Sequence, residues 1–162
     1  RCGTADFCFV ENAAAYSGLR PRLYDRPDPV LRTLSVSTTT LDVVLRDEPK
    51  IAFLKLDIEG GEYHALLGGA ETIRRSRPVI VLEAGSRSTG QYGVSADDLY
   101  RLLTHDFGYR LTTLQRHAEG MSPFTAAEFS NDWDHGPDYF FLAYPPESPI
   151  APQPAASRAR SA

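Results

Sequence analysis

Ile51-Ala-Phe-Leu-Lys-Leu-Asp57-Ile-Glu59-Gly60-Gly61-Glu62 decides how this chain reads. Five of its first six residues are apolar, and the run closes on three acids and two glycines. A short apolar run bounded by turn residues predicts a strand buried on both faces, as in parallel sheets. Beyond it, Tyr63, Leu66, Leu67, Ala70 and Ile73 recur at helical spacing and form one apolar stripe. Pro78 ends that pattern, and Val79-Ile-Val-Leu82 opens a second buried strand that closes on Glu83. Strand, helix, strand is a βαβ unit with an expected right-handed crossover. Open α/β sheets bind ligands outside the carboxyl ends of their strands. Asp57 and Glu83 stand at two such ends.

Working outward, 162 residues make one domain with a real core. Apolar content of 42% and charged content of 23% are ordinary for a globular protein. A net charge of −4 and scattered Arg residues argue against a nucleic-acid partner. No apolar run approaches the roughly 20 residues of a membrane span. Cys2 and Cys8 are too few for a disulfide framework or a zinc site, so a reduced, cytoplasmic setting is the expectation.

Upstream, Ala5–Val10 and Leu34–Ser37 read as strands. Residues 11 to 31 between them carry three prolines and read as a surface loop, in which Tyr16, Tyr24 and Arg20 are candidates to line a pocket. Thr39 and Asp42 resemble a capping box for a short helix through Arg46. Gly68-Gly69 predicts a kink or close packing within the next helix. Downstream, residues 84 to 94 read as a substrate-facing loop holding Gln91 and Tyr92. Ser95 with Asp98 caps a helix whose stripe is Leu99, Leu102, Leu103 and Phe107, ended by Gly108. Tyr109–Leu114 and Asp138–Tyr144 read as strands. Residues 115 to 137 read as irregular, with one helical turn at Thr125–Phe129. From Pro145 to Ala162 the Pro, Ala, Ser and Arg composition predicts a disordered tail.

The chemistry is in the acids. Asp57, Glu59 and Glu62 fall within six residues, and Gly60-Gly61 lets the backbone turn between them. If the two long strands are neighbours, Glu83 faces the same crevice. Such a cluster suits a cationic ligand, a divalent metal or a general base, although no ligand spacing demands a metal. For Glu59 and Glu62 the blander reading is a favourable charge at a helix N-terminus. His64, on the first turn after the acids, is either an exposed histidine or a base. His135, in Asp132-Trp-Asp-His135-Gly, reads as part of a polar loop or as a ligand with its aspartates. Lys55 is expected to pair with a nearby carboxylate inside the buried strand.

Phe53-Leu-Lys-Leu-Asp-Ile-Glu-Gly60, then Glu62, Leu66, Gly69-Ala70 and Pro78-Val-Ile-Val-Leu-Glu83, resembles the signature of the FkbM-type methyltransferases. Thr39-Thr-Leu-Asp-Val-Val-Leu45 resembles the segment that leads into it. The resemblance is specific over residues 38 to 84 and looser to 144. It implies a Rossmann-like class I methyltransferase fold whose last strand is inserted antiparallel. It implies methyl transfer from S-adenosylmethionine to a small-molecule acceptor, often a hydroxyl of a sugar or natural product. By this likeness Asp57 lies close to the methyl-donor site and Glu83 on the substrate side, and the catalytic candidates are Asp57, to orient or deprotonate the acceptor, with Glu59 and Glu83 shaping the polar wall. Glu62, His64, Gln91, Tyr92 and Tyr16 are its substrate-binding candidates. The family's glycine-rich loop and ribose-binding acid belong to its first two strands. The 56 residues before Asp57 hold two glycines, Gly3 and Gly18, and no G-x-G. The expectation is therefore the C-terminal half of the sheet with a closing antiparallel hairpin (a methyltransferase fragment), its strand at residues 51 to 57 left with an unpaired edge, or a non-catalytic interaction module derived from one.

Overall fold

The computed structural model describes residues 2–21, 24 and 27–151. Two sheets form. The smaller is an antiparallel hairpin of β1 (Gly3–Val10) and β2 (Leu31–Thr38). Both strands run beyond the segments expected from alternation alone. Their long connection is drawn in by the paired backbone groups of Cys8 and Gly18 and by Glu11 N–H donating to Val30.

The larger sheet contains β3 (Phe53–Leu56), β4 (Val79–Glu83), β5 (Arg110–Thr113) and β6 (Phe140–Tyr144), in the order β3-β4-β6-β5. β3 and β4 are parallel, with Phe53 opposite Val79 and Leu56 opposite Leu82. β6, last in sequence, inserts antiparallel between β4 and β5. The sheet is therefore mixed, with β5 and β6 closing it as expected. β4 has a neighbour on either side, and Ile80 and Leu82 are fully buried. β3 corrects the expectation of a strand buried on both faces. Among the described residues it is an edge strand, as the missing first strands imply, Phe53 is 56% exposed, and Lys55 also lies outside the core. Only Leu54 and Leu56 turn toward the core. An apolar run signals capacity for burial, not the presence of a neighbour.

The expected single helix after the acids is two, α2 (Glu62–Gly68) and α3 (Ala70–Ser76), broken at Gly69. The break is a close approach. A Cβ at Gly69 would stand 3.1 Å from Leu41 Cδ1 and 3.2 Å from its Cβ. Leu41 opens the short helix α1 (Leu41–Val44), whose cap is Thr40 rather than Thr39, its Oγ1 accepting from Val43 N–H. Asp42 belongs to a different cap from the one expected. Its carboxylate accepts from the backbone N–H of Glu71 (3.2 Å) and Thr72 (2.8 Å) at the start of α3. A helix broken by glycine exposes new N–H groups, and Asp42 satisfies two of them.

α4 (Ala96–Arg101) starts on the expected Ser95–Asp98 capping box and runs into a wider-wound turn, Leu102–Asp106. Leu99, Leu102, Leu103 and Phe107 are buried, and Gly108 has φ +68°. Residues 115 to 137 are less irregular than expected. α5 spans Leu114–Ala118, and α6 spans ten residues, Ala126–His135. Thr125 Oγ1 accepts from Glu128 N–H, and the Glu128 carboxylate accepts from Thr125 N–H at 2.8 Å. Phe129 and Trp133, four residues apart, drop into the core from α6. Pro145–Ala151 also departs from the expected disordered tail. Glu147 pairs with Arg77 at 2.8 Å, and Ser148 is buried. The remainder of the tail, 152–162, lies outside the described residues.

The capping box of α6 gives a direct test. The Thr125 N–H, the Thr125 hydroxyl and Arg116 hold the Glu128 carboxyl down to about 2 from its ordinary value of 4.5. Its folded value lies below its unfolded one, so this stabilisation is complete above about pH 4.5 and is lost as pH falls toward 2. Thr125→Ala is expected to lower unfolding free energy by about 1 kcal/mol, measured by urea titration at neutral pH. Glu128→Gln is expected to differ from wild type at neutral pH and to converge on it as pH approaches 2. A parallel offset at all pH values contradicts this account.

Candidate active site

Asp57 follows β3 directly, and Glu83 ends β4. The parallel register brings these two ends together, since Leu56 lies opposite Leu82. Glu59 is two residues beyond Asp57. One carboxylate oxygen from each of Asp57, Glu59 and Glu83 lies within 4.8 Å of the others. The sequence-predicted trio is therefore one cluster at the carboxyl edge of the sheet. Like charges this close repel, so the cluster suits a cationic group.

The turn between the acids is unusual backbone. Glu59 has φ +60° and Gly60 φ +103°. A left-handed conformation costs a residue with a Cβ about 1–2 kcal/mol. At Gly60 there is also no room, because a Cβ would stand 2.6 Å from Tyr92 Cε2 and 2.8 Å from the Ser88 carbonyl oxygen. Glu62 holds this turn. Its side chain is fully buried, and Oε1 accepts from Ile58 N–H at 2.9 Å and Gly60 N–H at 3.2 Å. Its other oxygen accepts from the Thr89 hydroxyl at 3.3 Å. Glu62 is therefore not on the crevice surface where a substrate-binding role would need it. It clamps the acid turn to the loop after β4, a role the sequence pattern does not show.

Electrostatics separate the roles further. Lys55 Nζ donates to Asp57 at 2.5 Å, which holds the Asp57 carboxyl below its usual range. Asp57 is thus ionised and a weak proton acceptor. Lys55 also sits 5.3 Å from the Phe140 ring centroid. The expected pairing of Lys55 is present, on the exposed face of the edge strand instead of within the core.

Tyr92 packs over Gly60, with the Arg20 guanidinium 5.3 Å from its ring centroid. Burial, then the charge of Glu62, pushes its phenol up. A Cβ at Gly18 would stand 3.4 Å from Glu59 Cβ, so the hairpin's connection lies against the acid turn. Tyr16 is placed elsewhere in that connection, edge-on to Tyr24 at 6.2 Å. His64 is exposed on α2, 6.3 Å from the Tyr92 ring, and is outside the acid trio. Gln91 donates to the Ser86 carbonyl at 3.3 Å and folds its loop on itself.

Beside Glu83 opens a cavity of about 650 Å³. One wall is Glu83–Ser88 and the other Trp133–Tyr139. The Trp133 carbonyl accepts from Ser86 N–H at 3.2 Å and joins the two walls. Of these residues the sequence singles out Glu83 and His135 and misses Arg87 and Asp138. A cavity of about 680 Å³ lies at the other end of β5 and β6, by Arg110 and Tyr144, and none of the acids lines it. Of these two cavities, the one that Glu83 lines adjoins the acid trio.

Glu62→Ala tests the clamp. It leaves Ile58 N–H, Gly60 N–H and the Thr89 hydroxyl without their acceptor, at about 1–3 kcal/mol for a buried group left unsatisfied. A loss on the order of 3 kcal/mol is expected in chemical denaturation. Wild-type stability shows that the turn does not depend on Glu62.

Among the described residues, no helix is long and apolar enough to cross a membrane. No curated protein and no solved structure matches the chain. The family model for the methyltransferase FkbM domain matches residues 8–111, from within β1 to within β5. The matched segment contains most of the hairpin, the acid trio, the Glu62 clamp and one wall of the cavity beside Glu83. It covers more than half of the chain, which therefore belongs to the FkbM methyltransferase domain family.

Proposed function

We propose that the chain is the acceptor-side part of an S-adenosylmethionine-dependent methyltransferase of Rossmann-like class I architecture, methylating a hydroxyl of a small molecule such as a sugar or natural product. The carrying observation is the trio Asp57, Glu59 and Glu83, gathered within 4.8 Å at the carboxyl ends of two parallel strands inside the family-matched segment. The trio fits the positive charge of a sulfonium donor. Asp57, Glu59 and Glu83 would hold that cationic end. When bound, the donor supplies an electrophilic methyl group. The adenosine part is assigned to no residue of this chain.

The residues then divide the remaining work. Asp57, kept ionised by Lys55, orients the acceptor hydroxyl by accepting its hydrogen bond. Orientation of this kind lowers the barrier by fixing the attack geometry in advance. Glu59 and Glu83 complete the polar wall. The clamp at Glu62 keeps the wall rigid. A second reading, a non-catalytic interaction module, is favoured by β3, whose outer edge has no partner strand among the described residues.

Calorimetric titration of S-adenosylmethionine separates the readings. We expect no binding to this chain alone and micromolar binding once the residues encoded upstream are joined to it. Micromolar binding to the chain alone contradicts the acceptor-side assignment. Absence of binding in both favours the interaction module. In the donor-binding protein, Asp57→Asn is expected to leave donor affinity within about tenfold and to cut labelled methyl transfer by about 100-fold or more. Near-normal transfer removes Asp57 from the mechanism.

A further inference from the structure

The cavity beside Glu83 touches the acid trio, because Glu83 belongs to both. Its size, about 650 Å³, falls within the range of small-molecule sites, about 300–1,000 Å³. Its two walls have different origins. Glu83–Ser88 lies inside the family-matched segment, whereas Trp133–Tyr139 lies beyond the end of the match at residue 111. The second wall is formed by the end of α6 and the entry to β6, and Phe129 and Trp133 anchor α6 in the core. The cavity therefore has a fixed back and a polar front.

The charge of that front is uneven. Glu83, Asp134 and Asp138 line it against Arg87 and the imidazole of His135. Asp57 and Glu59 extend the negative side from Glu83. The Tyr139 ring, 60% exposed, adds a flat apolar surface at the rim. A carboxylate or phosphate placed here meets like charge on several sides, and like-charge juxtaposition at a binding surface costs several kcal/mol. A neutral or positively charged molecule meets none of that penalty.

We propose that this cavity seats the methyl acceptor and that the acceptor is a polar molecule without negative charge, selected by Asp134 and Asp138 on the wall outside the family-matched segment. The proposal rests on the methyltransferase reading above for the word acceptor. The charge selection is a property of the cavity itself. Arg87 serves as a hydrogen-bond donor to the seated molecule, not as an anion receptor, because the acids outnumber it.

Three sugars on one ring scaffold test this: D-glucosamine, D-glucose and D-glucuronate, titrated separately into the chain and followed by the backbone amide NMR shifts of Gly85, Ser86 and Gly136. The expected result is that glucosamine and glucose move these amides and that glucuronate binds at least tenfold more weakly than either. The double variant Asp134→Lys with Asp138→Lys should narrow that difference to below threefold, its amide spectrum showing that the fold is kept. Glucuronate binding as tightly as the others, shifts confined to other amides, or no shifts with any sugar would overturn the proposal. Should the double variant not fold, the wild-type order of the three sugars alone decides it. The donor titration is independent. Sugar selectivity without donor binding in the extended chain removes the methyltransferase reading and leaves a charge-selective pocket. Donor binding without selectivity removes this inference alone.

Discussion

The buried carboxylate of Glu62 is the constraint on which the site depends. An ionisable group with no exposed surface persists only where hydrogen bonds replace its water. Here two backbone N–H groups and one hydroxyl do so, and all three lie on segments that carry the site. Without that acceptor the turn at Glu59-Gly60 would have to sustain its left-handed backbone unaided. With it, Glu59 points to Asp57 and Glu83, and Tyr92 closes over Gly60. The three outer acids can sit close together because the inner one fixes the chain that presents them.

Several features were legible in the sequence because they depend on neighbours close along the chain. The apolar run before Asp57, the run before Glu83 and the stripe from Leu99 to Phe107 identified elements that are present. The trio of acids was legible because both strands end on one and parallel pairing aligns those ends. The two glycines at residues 68 and 69 signalled close packing, and Leu41 supplies it.

What was not legible depends on distant partners. Asp42 looked like part of its own helix cap, but it serves α3, some thirty residues away. Glu62 looked like a member of the acid cluster facing a substrate, or a charge at a helix start, because its acceptor role exists only once Thr89 and the turn have closed around it. The Asp132–His135 stretch looked like a polar loop. Phe129 and Trp133 carry a helix through it, and the signal for that helix was the pair Thr125 and Glu128 just upstream. The apolar residues of β3 suggested burial on both faces, since sequence patterning does not say whether a strand has one neighbour or two; its unpaired edge was legible only from the absence of the first strands that the resembled fold carries.

The place of β6 has a consequence for how this chain is made. β4 and β5 are not hydrogen-bonded to each other, because β6 lies between them and bonds to both. A nascent chain that has not yet emerged beyond Phe140–Tyr144 therefore holds β4 and β5 with a gap of one strand between them. The sheet becomes continuous only when those residues leave the ribosome and slot in, so closing the sheet waits on the strand that is made after both of its neighbours. The same segment carries the Phe141 ring that packs on Phe124 and Phe129. Closing the sheet and sealing the core are thus a single event.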